Sequence, residues 1–204
     1  MFKIGLTGGI CSGKTYVLNI FKELNCHAVR ADEIARDIIF SGDSEISEKI
    51  VKVFGASIYE AGKGLKKEEF ARIMFEDAQK RDFINKFVHP LVKAEREKIF
   101  RDLKEKSSFK FFIYESALLV EAGIYKDFEK IIVVYTTHEE QLKRLMERDG
   151  ILEAAAEARI KAQFPLSEKL KVAHYAIDTS GAFENTRIKT LETYHLMKKD
   201  FKIP

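Results

Sequence analysis

Residues 8–15 read Gly8-Gly9-Ile10-Cys11-Ser12-Gly13-Lys14-Thr15 and match G-x-x-x-x-G-K-[ST] without a mismatch. Each position has a task. The glycines allow backbone conformations that turn successive N–H groups toward one anion. A helix opening near Lys14 adds unsatisfied N–H groups and the positive end of its dipole. Lys14 brings a compact charge to the outer phosphates of a nucleotide, Thr15 a hydroxyl to Mg²⁺, and Tyr16 its backbone in the first turn. At ordinary glycine frequencies the bare pattern arises by chance in about one chain in a hundred of this length. A strand before it and a helix after it make coincidence rarer, so the segment reads as a phosphate-binding loop.

Working outward, Phe2 to Thr7 is a short apolar run that reads as a buried strand. Beyond the loop, Val17, Leu18, Ile20, Phe21 and Leu24 recur at helical spacing. His27 to Ala31 reads as a second strand, and Asp32 opens a helix running to Phe40. Residues 43–54 and 66–106 carry Lys, Glu, Ile, Phe and Leu at helical period and read as a helical insertion. Its parts are joined by a loop over Gly55 to Gly64. A break is expected at His89-Pro90, because the residue before proline is pushed out of the helical region, with helix resuming at Pro90.

FKFFIY at 109–114 and KIIVVY at 130–135 are near-continuous apolar runs, as expected of strands buried on both faces of a parallel sheet. A charged helix over 138–148, an Ala- and Arg-bearing segment through Lys171, a strand at Tyr175 to Asp178 and a closing helix from residue 182 complete the chain. Strands alternating with helices give an α/β fold with a parallel sheet.

The chain has 204 residues, 46% hydrophobic and 33% charged, which suits one globular domain with inserted subdomains. Its 35 basic and 32 acidic residues leave a net charge of +3, with no tail that would hold nucleic acid. No segment reaches about 18 apolar residues, so no membrane span is expected. Cys11 and Cys26 do not form a C-x-x-C pair, and MFKIGLTGG lacks the pattern of a leader; both favour a reduced, cytoplasmic setting. Cys11, near a helix N-terminus, is expected to have a lowered thiol pKa.

A phosphate loop also serves GTPases and motor ATPases. The guanine-reading N-K-x-D pattern is absent, and the chain is short for mechanical work. A small P-loop kinase suits the length, and its arginines at 144 and 148, four apart, share a helix face from which to close over a transferring phosphoryl group. The other readings are a kinase for some other small alcohol or a nucleoside, and a regulator that binds nucleotide without phosphorylating anything.

TGGICSGK at the start, ADEIAR at 31–36, INKFVHPLV at 84–92, LLVE at 118–121, QLKRLMERD at 141–149 and the Arg159-to-Gln163 stretch resemble, in this order, the dephospho-coenzyme A kinase family. The resemblance implies ATP as phosphoryl donor with Mg²⁺, and transfer to the ribose 3′-hydroxyl of dephospho-coenzyme A in the final step of coenzyme A synthesis. It implies a three-layer, P-loop NTPase-like core over about 1–40, 107–140 and 172–204, a helical acceptor-binding insertion over about 41–106 and a lid over about 141–171. Oligomeric state is left open. Four positions depart from the family's pattern: Arg30 for an aspartate, Cys11 for a glycine, Ala117 for a proline and His174 for an aspartate.

The loop residues Gly8, Gly9, Ile10, Cys11, Ser12, Gly13, Lys14, Thr15 and Tyr16 are the expected nucleotide contacts. Asp32 is either the base that takes the acceptor's hydroxyl proton or a helix N-cap. Arg36, one turn on, reaches a phosphate or makes a surface ion pair. His89 belongs to the acceptor site or simply packs at a helix boundary. Glu115 either holds the water shell of Mg²⁺ with Thr15 or stands exposed at a strand end. Leu118 and Leu119 line the acceptor pocket or pack; Glu121 matches the family's LLxE and is an acceptor contact by resemblance. With Lys14 and Asp32, Arg144 completes the catalytic set, Arg148 a nucleotide contact, and Arg159 a further lid arginine.

Overall fold

β1 (Phe2–Gly8) is the middle strand of a five-stranded sheet, and its burial follows from its neighbours on both edges. The structure, a computed structural model, describes residues 1–60 and 64–203. After the phosphate loop come α1 (Lys14–Glu23), β2 (His27–Arg30), α2 (Ala31–Ile39) and α3 (Ser44–Phe54). A 3₁₀ turn at Ala56–Ile58 leads to β3 (Tyr59–Glu60), which pairs antiparallel with β4 (Gly64–Leu65). α4 (Lys67–Glu76) and α5 (Ala78–Lys106) follow, then β5 (Phe111–Glu115), β6 (Lys130–Tyr135), α6 (His138–Asp149), α7 (Glu153–Lys161), α8 (Leu166–Leu170), β7 (Tyr175–Asp178) and α9 (Phe183–Asp200).

The large sheet has the order β2-β5-β1-β6-β7, every neighbouring pair parallel. One face buries Ile4, Leu6, Phe111, Ile113, Ile132, Val134 and Ile177 against Val17, Leu18 and Phe21 of α1 and Met197 of α9. The alternate strand positions face the other way, where α8 touches β1 and β6 and Tyr114 stacks on Phe128 at 5.6 Å between centroids. Helices on both faces make the three layers of the expected P-loop fold.

The described chain forms two compact units, Met1–Arg30 with Lys106–Pro204, and Ala31–Glu105. The break falls at Arg30–Ala31 rather than near residue 40, so α2 groups with the helical unit. Stacked Phe54 and Phe70, 5.2 Å apart, with Phe40 edge-on to Phe70 at 5.6 Å, form an aromatic centre in that unit.

Two expected features of the helical unit are corrected. The helix does not stop at His89-Pro90: α5 runs through Pro90 for 29 residues. Ile84, Val88, Val92, Arg96 and Phe100 are buried along one continuous stripe, while His89 and Pro90 are exposed. Packing of the stripe outweighs the local proline penalty. The break lies earlier, at Asp77, whose Oδ1 accepts from the N–H groups of Gln79 and Lys80 at 3.0 Å each. That carboxylate satisfies two orphan donors and starts a new helix. The loop read over Gly55 to Gly64 instead holds the 3₁₀ turn and the β3–β4 pair; its residues 61–63 lie outside the described residues.

Candidate functional site

Gly8 ends β1, and the loop turns from there into α1. Gly13, the N-cap, has φ +82° and ψ 12°, a left-handed conformation that glycine adopts without penalty. It brings no capping side chain; its carbonyl accepts from Tyr16 N–H at 3.0 Å, and the positive end of the helix dipole lies at the loop. The Lys14 ammonium folds back onto the carbonyls of Gly9 and Gly8, at 2.8 and 3.3 Å. Thr15 is exposed. The Ser12 hydroxyl is buried without a hydrogen-bond partner, in a residue only 2% exposed. A left-handed glycine turn into a helix N-terminus, a lysine ammonium folded onto the loop and an orphaned hydroxyl fit a phosphate chain. Tyr16 adds a ring lying edge-on to Phe183, 5.0 Å between centroids.

The back of the loop is braced by Thr179 and Glu140, which no sequence pattern singled out, together with Arg144, Gln141 and Gln163, which were not read as its supports. Thr179, just past β7, donates its hydroxyl toward Ser12 O at 2.9 Å and Tyr135 O at 3.1 Å. Arg144 reaches the same residue, donating to Thr179 O at 2.9 Å and to Glu140 Oε2 at 2.6 Å. Glu140 also accepts from the Thr136 hydroxyl at 2.6 Å and Gly181 N–H at 2.9 Å, and these bonds hold its carboxyl below the usual range. Gln141 and Gln163 both bond to Ile10. A cavity of about 230 Å³ opens beside Gly9, Ser12, Gln141, Gln163, Phe164 and Lys169. It is smaller than the about 300–1,000 Å³ that encloses a whole small ligand.

Farther along α6, Asp149 holds two arginines: Arg148 by Nε at 2.7 Å and Arg159 by Nη1 at 2.6 Å. Cys11 feels this cluster but is not activated by its place near the helix. Burial pushes its thiol up, outweighing Arg148 and Lys14, so the expected lowering is corrected. Cys11 takes φ +55°, a left-handed conformation that favours glycine.

Glu115 is 3% exposed, so the exposed-strand-end reading is removed. Its Oε2 accepts from Arg30 Nε at 3.1 Å, and the two residues are register partners at the ends of β2 and β5. Arg30 thus has a partner on the neighbouring strand. Leu119 is fully buried, within 2.9 Å of a β-carbon built on Gly5, and is a packing residue; Leu118 is 45% exposed. Glu121 is engaged by protein: its Oε1 accepts from Lys169 Nζ at 2.6 Å and Phe164 N–H at 3.1 Å.

In the helical unit, Asp32 lies inside the first turn of α2 with Glu33 rather than at its cap, and is exposed. Arg36 is exposed and lies 3.6 Å from Asp37. His89 is exposed on α5.

The sequence pattern that defines the dephospho-CoA kinases matches residues 2–185. A dephospho-CoA kinase of Aquifex aeolicus is 36% identical over 200 residues, covering 98% of this chain and 100% of its own. That of Carboxydothermus hydrogenoformans is 40% identical over 188 residues, covering 92% and 90%. The solved dephospho-CoA kinase of Campylobacter jejuni superimposes with a TM-score of 0.73 at 28% identity, over 97% of this chain and 98% of that one. With the intact phosphate loop at the head of its sheet, the chain belongs to the dephospho-CoA kinase family.

Proposed function

We propose that the chain transfers the γ-phosphoryl group of ATP to the ribose 3′-hydroxyl of dephospho-CoA, completing coenzyme A. The observation that carries this reading is the family match across residues 2–185 together with an unbroken Gly8–Thr15 loop. The loop N–H groups and Lys14 hold the outer phosphates, the ammonium exchanging the Gly8 and Gly9 carbonyls for phosphate oxygens.

Thr15 and the water-shell acid Glu115 are the groups assigned to Mg²⁺. Among the described residues no cluster of His, Cys, Asp or Glu is arranged to cage a metal, which suits an ion that keeps several waters and leans on phosphates. Bound there, Mg²⁺ would neutralise charge on the β- and γ-phosphates. Arg144, braced at Thr179, and Arg148, whose charge reaches Cys11, supply the remaining positive charge near the transferring group.

Asp32 accepts the hydroxyl proton. Arg36, His89 and Leu118 are assigned to the acceptor, the helical unit to acceptor binding, and residues 141–171 to the lid. Among the described residues no helix is long and apolar enough to cross a membrane, and both thiols are unpaired, which fits work in the cytoplasm. A coupled assay with ATP and dephospho-CoA tests the reading. ADP and coenzyme A are expected in equal amounts, far faster than ATP is lost without acceptor. Equal loss of ATP with and without dephospho-CoA would remove the proposal.

A further inference from the structure

Both peptide groups of Ile10 are held from outside the phosphate loop. Its N–H donates to Gln163 Oε1 at 2.7 Å, and its carbonyl accepts from Gln141 Nε2 at 2.7 Å. The two amides come from different segments, Gln141 from α6 and Gln163 from the turn after α7. Loop N–H groups are the natural ligands of phosphate, so one occupied by a side chain 153 residues away requires a reason. The loop is also shaped to admit Gln141: a β-carbon on Gly9 would lie 2.5 Å from its Nε2.

Gln163 is itself anchored. The next residue, Phe164, donates its N–H to Glu121 Oε1 at 3.1 Å, and the same oxygen accepts from Lys169 Nζ at 2.6 Å. Lys169, 1% exposed, donates also to Ala117 O at 2.8 Å. Residues 164–169 are thereby fastened to the chain that follows β5. The effect of the Gln163 and Gln141 bonds falls on the neighbouring residue. Cys11 takes φ +55°, a conformation disfavoured about tenfold for a residue with a β-carbon. Such a residue stays there only when its surroundings over-determine it.

We infer that Gln163 and Gln141 are positioning residues for phosphoryl transfer. They clamp the Ile10 peptide groups, keep Cys11 left-handed, and so hold the following N–H groups on the nucleotide phosphates. The Glu121–Lys169 pair aims Gln163, and Glu121 serves the reaction through the protein. The inference rests on the reading of Gly8–Thr15 as the ATP site, and not on the identity of the acceptor. A glutamine that merely masks the Ile10 N–H until ATP arrives would act in the opposite sense.

Gln163→Ala and Gln141→Ala, each alone and each with Cys11→Gly, distinguish the two. MgATP affinity is read by calorimetry, and the KM for each substrate by the coupled assay. In either single variant ATP affinity and kcat/KM for ATP should fall about tenfold, with the KM for dephospho-CoA within about twofold of the parent. Cys11→Gly should recover several-fold of the loss, because glycine adopts the left-handed conformation without bias. Unchanged or tighter ATP binding in both single variants overturns the inference, as does recovery of nothing by Cys11→Gly. The variants lie on separate segments, so failure of one to fold leaves the other to decide. A parent protein that binds MgATP but does not phosphorylate dephospho-CoA would sink the acceptor assignment alone, and the calorimetry would still decide the inference.

Discussion

Asp32 carries a negative charge into the first turn of α2, two residues beyond the last residue of β2. Asparagine keeps its size but neither holds that charge nor accepts a proton. General-base help is worth about 10²–10⁴-fold, so Asp32→Asn should lower kcat by about that factor. The lost first-turn charge should cost only about 0.3–1 kcal/mol of stability. Turnover measured beside melting temperature checks this, and normal kcat in a folded variant would remove Asp32 from the mechanism. The loop was readable because Gly8 through Thr15 are consecutive, and their spacing alone states their chemistry. Gln141, Gln163 and Thr179 were not read as its supports, since each lies more than a hundred residues from the loop atom it holds. Only the folded chain joins them. Glu121 was read from a motif as an acceptor contact; that a buried lysine 48 residues on takes up its Oε1, while its buried Oε2 has no hydrogen-bond partner, is visible only in the fold.

α5 shows where local preference yields to packing. A proline inside a helix loses one backbone hydrogen bond and crowds the carbonyl four residues back, at about 3 kcal/mol. Pro90 lies on the exposed side of a helix whose other side is a continuous buried stripe. Pro90→Ala should therefore raise unfolding stability, by about 1–3 kcal/mol in urea titration. If the VHPL stretch shapes the acceptor site, the same variant should raise the KM for dephospho-CoA while leaving that for ATP alone. A loss of stability would mean that the ring at this position packs favourably. The strands were legible from composition: KIIVVY is β6 residue for residue, and FKFFIY differs from β5 only at its ends. The division of the helical stretch was not, because the signal at Asp77 is one carboxylate reaching two N–H groups, and it competes with a proline that reads louder.

Over the whole molecule, several groups make stability fall with acid. The ring Nδ1 of His174 accepts from Ile131 N–H at 3.2 Å, which requires a neutral ring. Burial, with Lys130 nearby, lowers its pKa from 6.5, and burial with Lys22 does the same for His27. Each depressed histidine contributes stability that is full above about pH 6.5 and lost as pH falls below it. Glu140, bonded by Thr136 and Gly181, and Asp149, bonded by Arg148, are held below 4.5 and 3.8, so their contribution goes only under those values. Urea titrations from about pH 7.5 down to about pH 5 should show the first loss alone. In His174→Asp, whose carboxylate accepts the same N–H, that early loss should shrink. A parent equally stable across this range would refute the histidine part.

The sheet order also sets a timetable for synthesis. β1 pairs with Phe111–Glu115 on one edge and Lys130–Tyr135 on the other, so this strand is completed only when residue 135 has left the ribosome. At ordinary rates of translation that wait is on the order of ten seconds. Ala31–Glu105 is contiguous and has its own internal contacts, so this stretch emerges whole while β1 still lacks both neighbours. The residues that brace the phosphate loop are made later still, ending with Thr179. A nascent chain stopped before that point displays the full nucleotide-binding motif but lacks the hydroxyl that holds Ser12 in place.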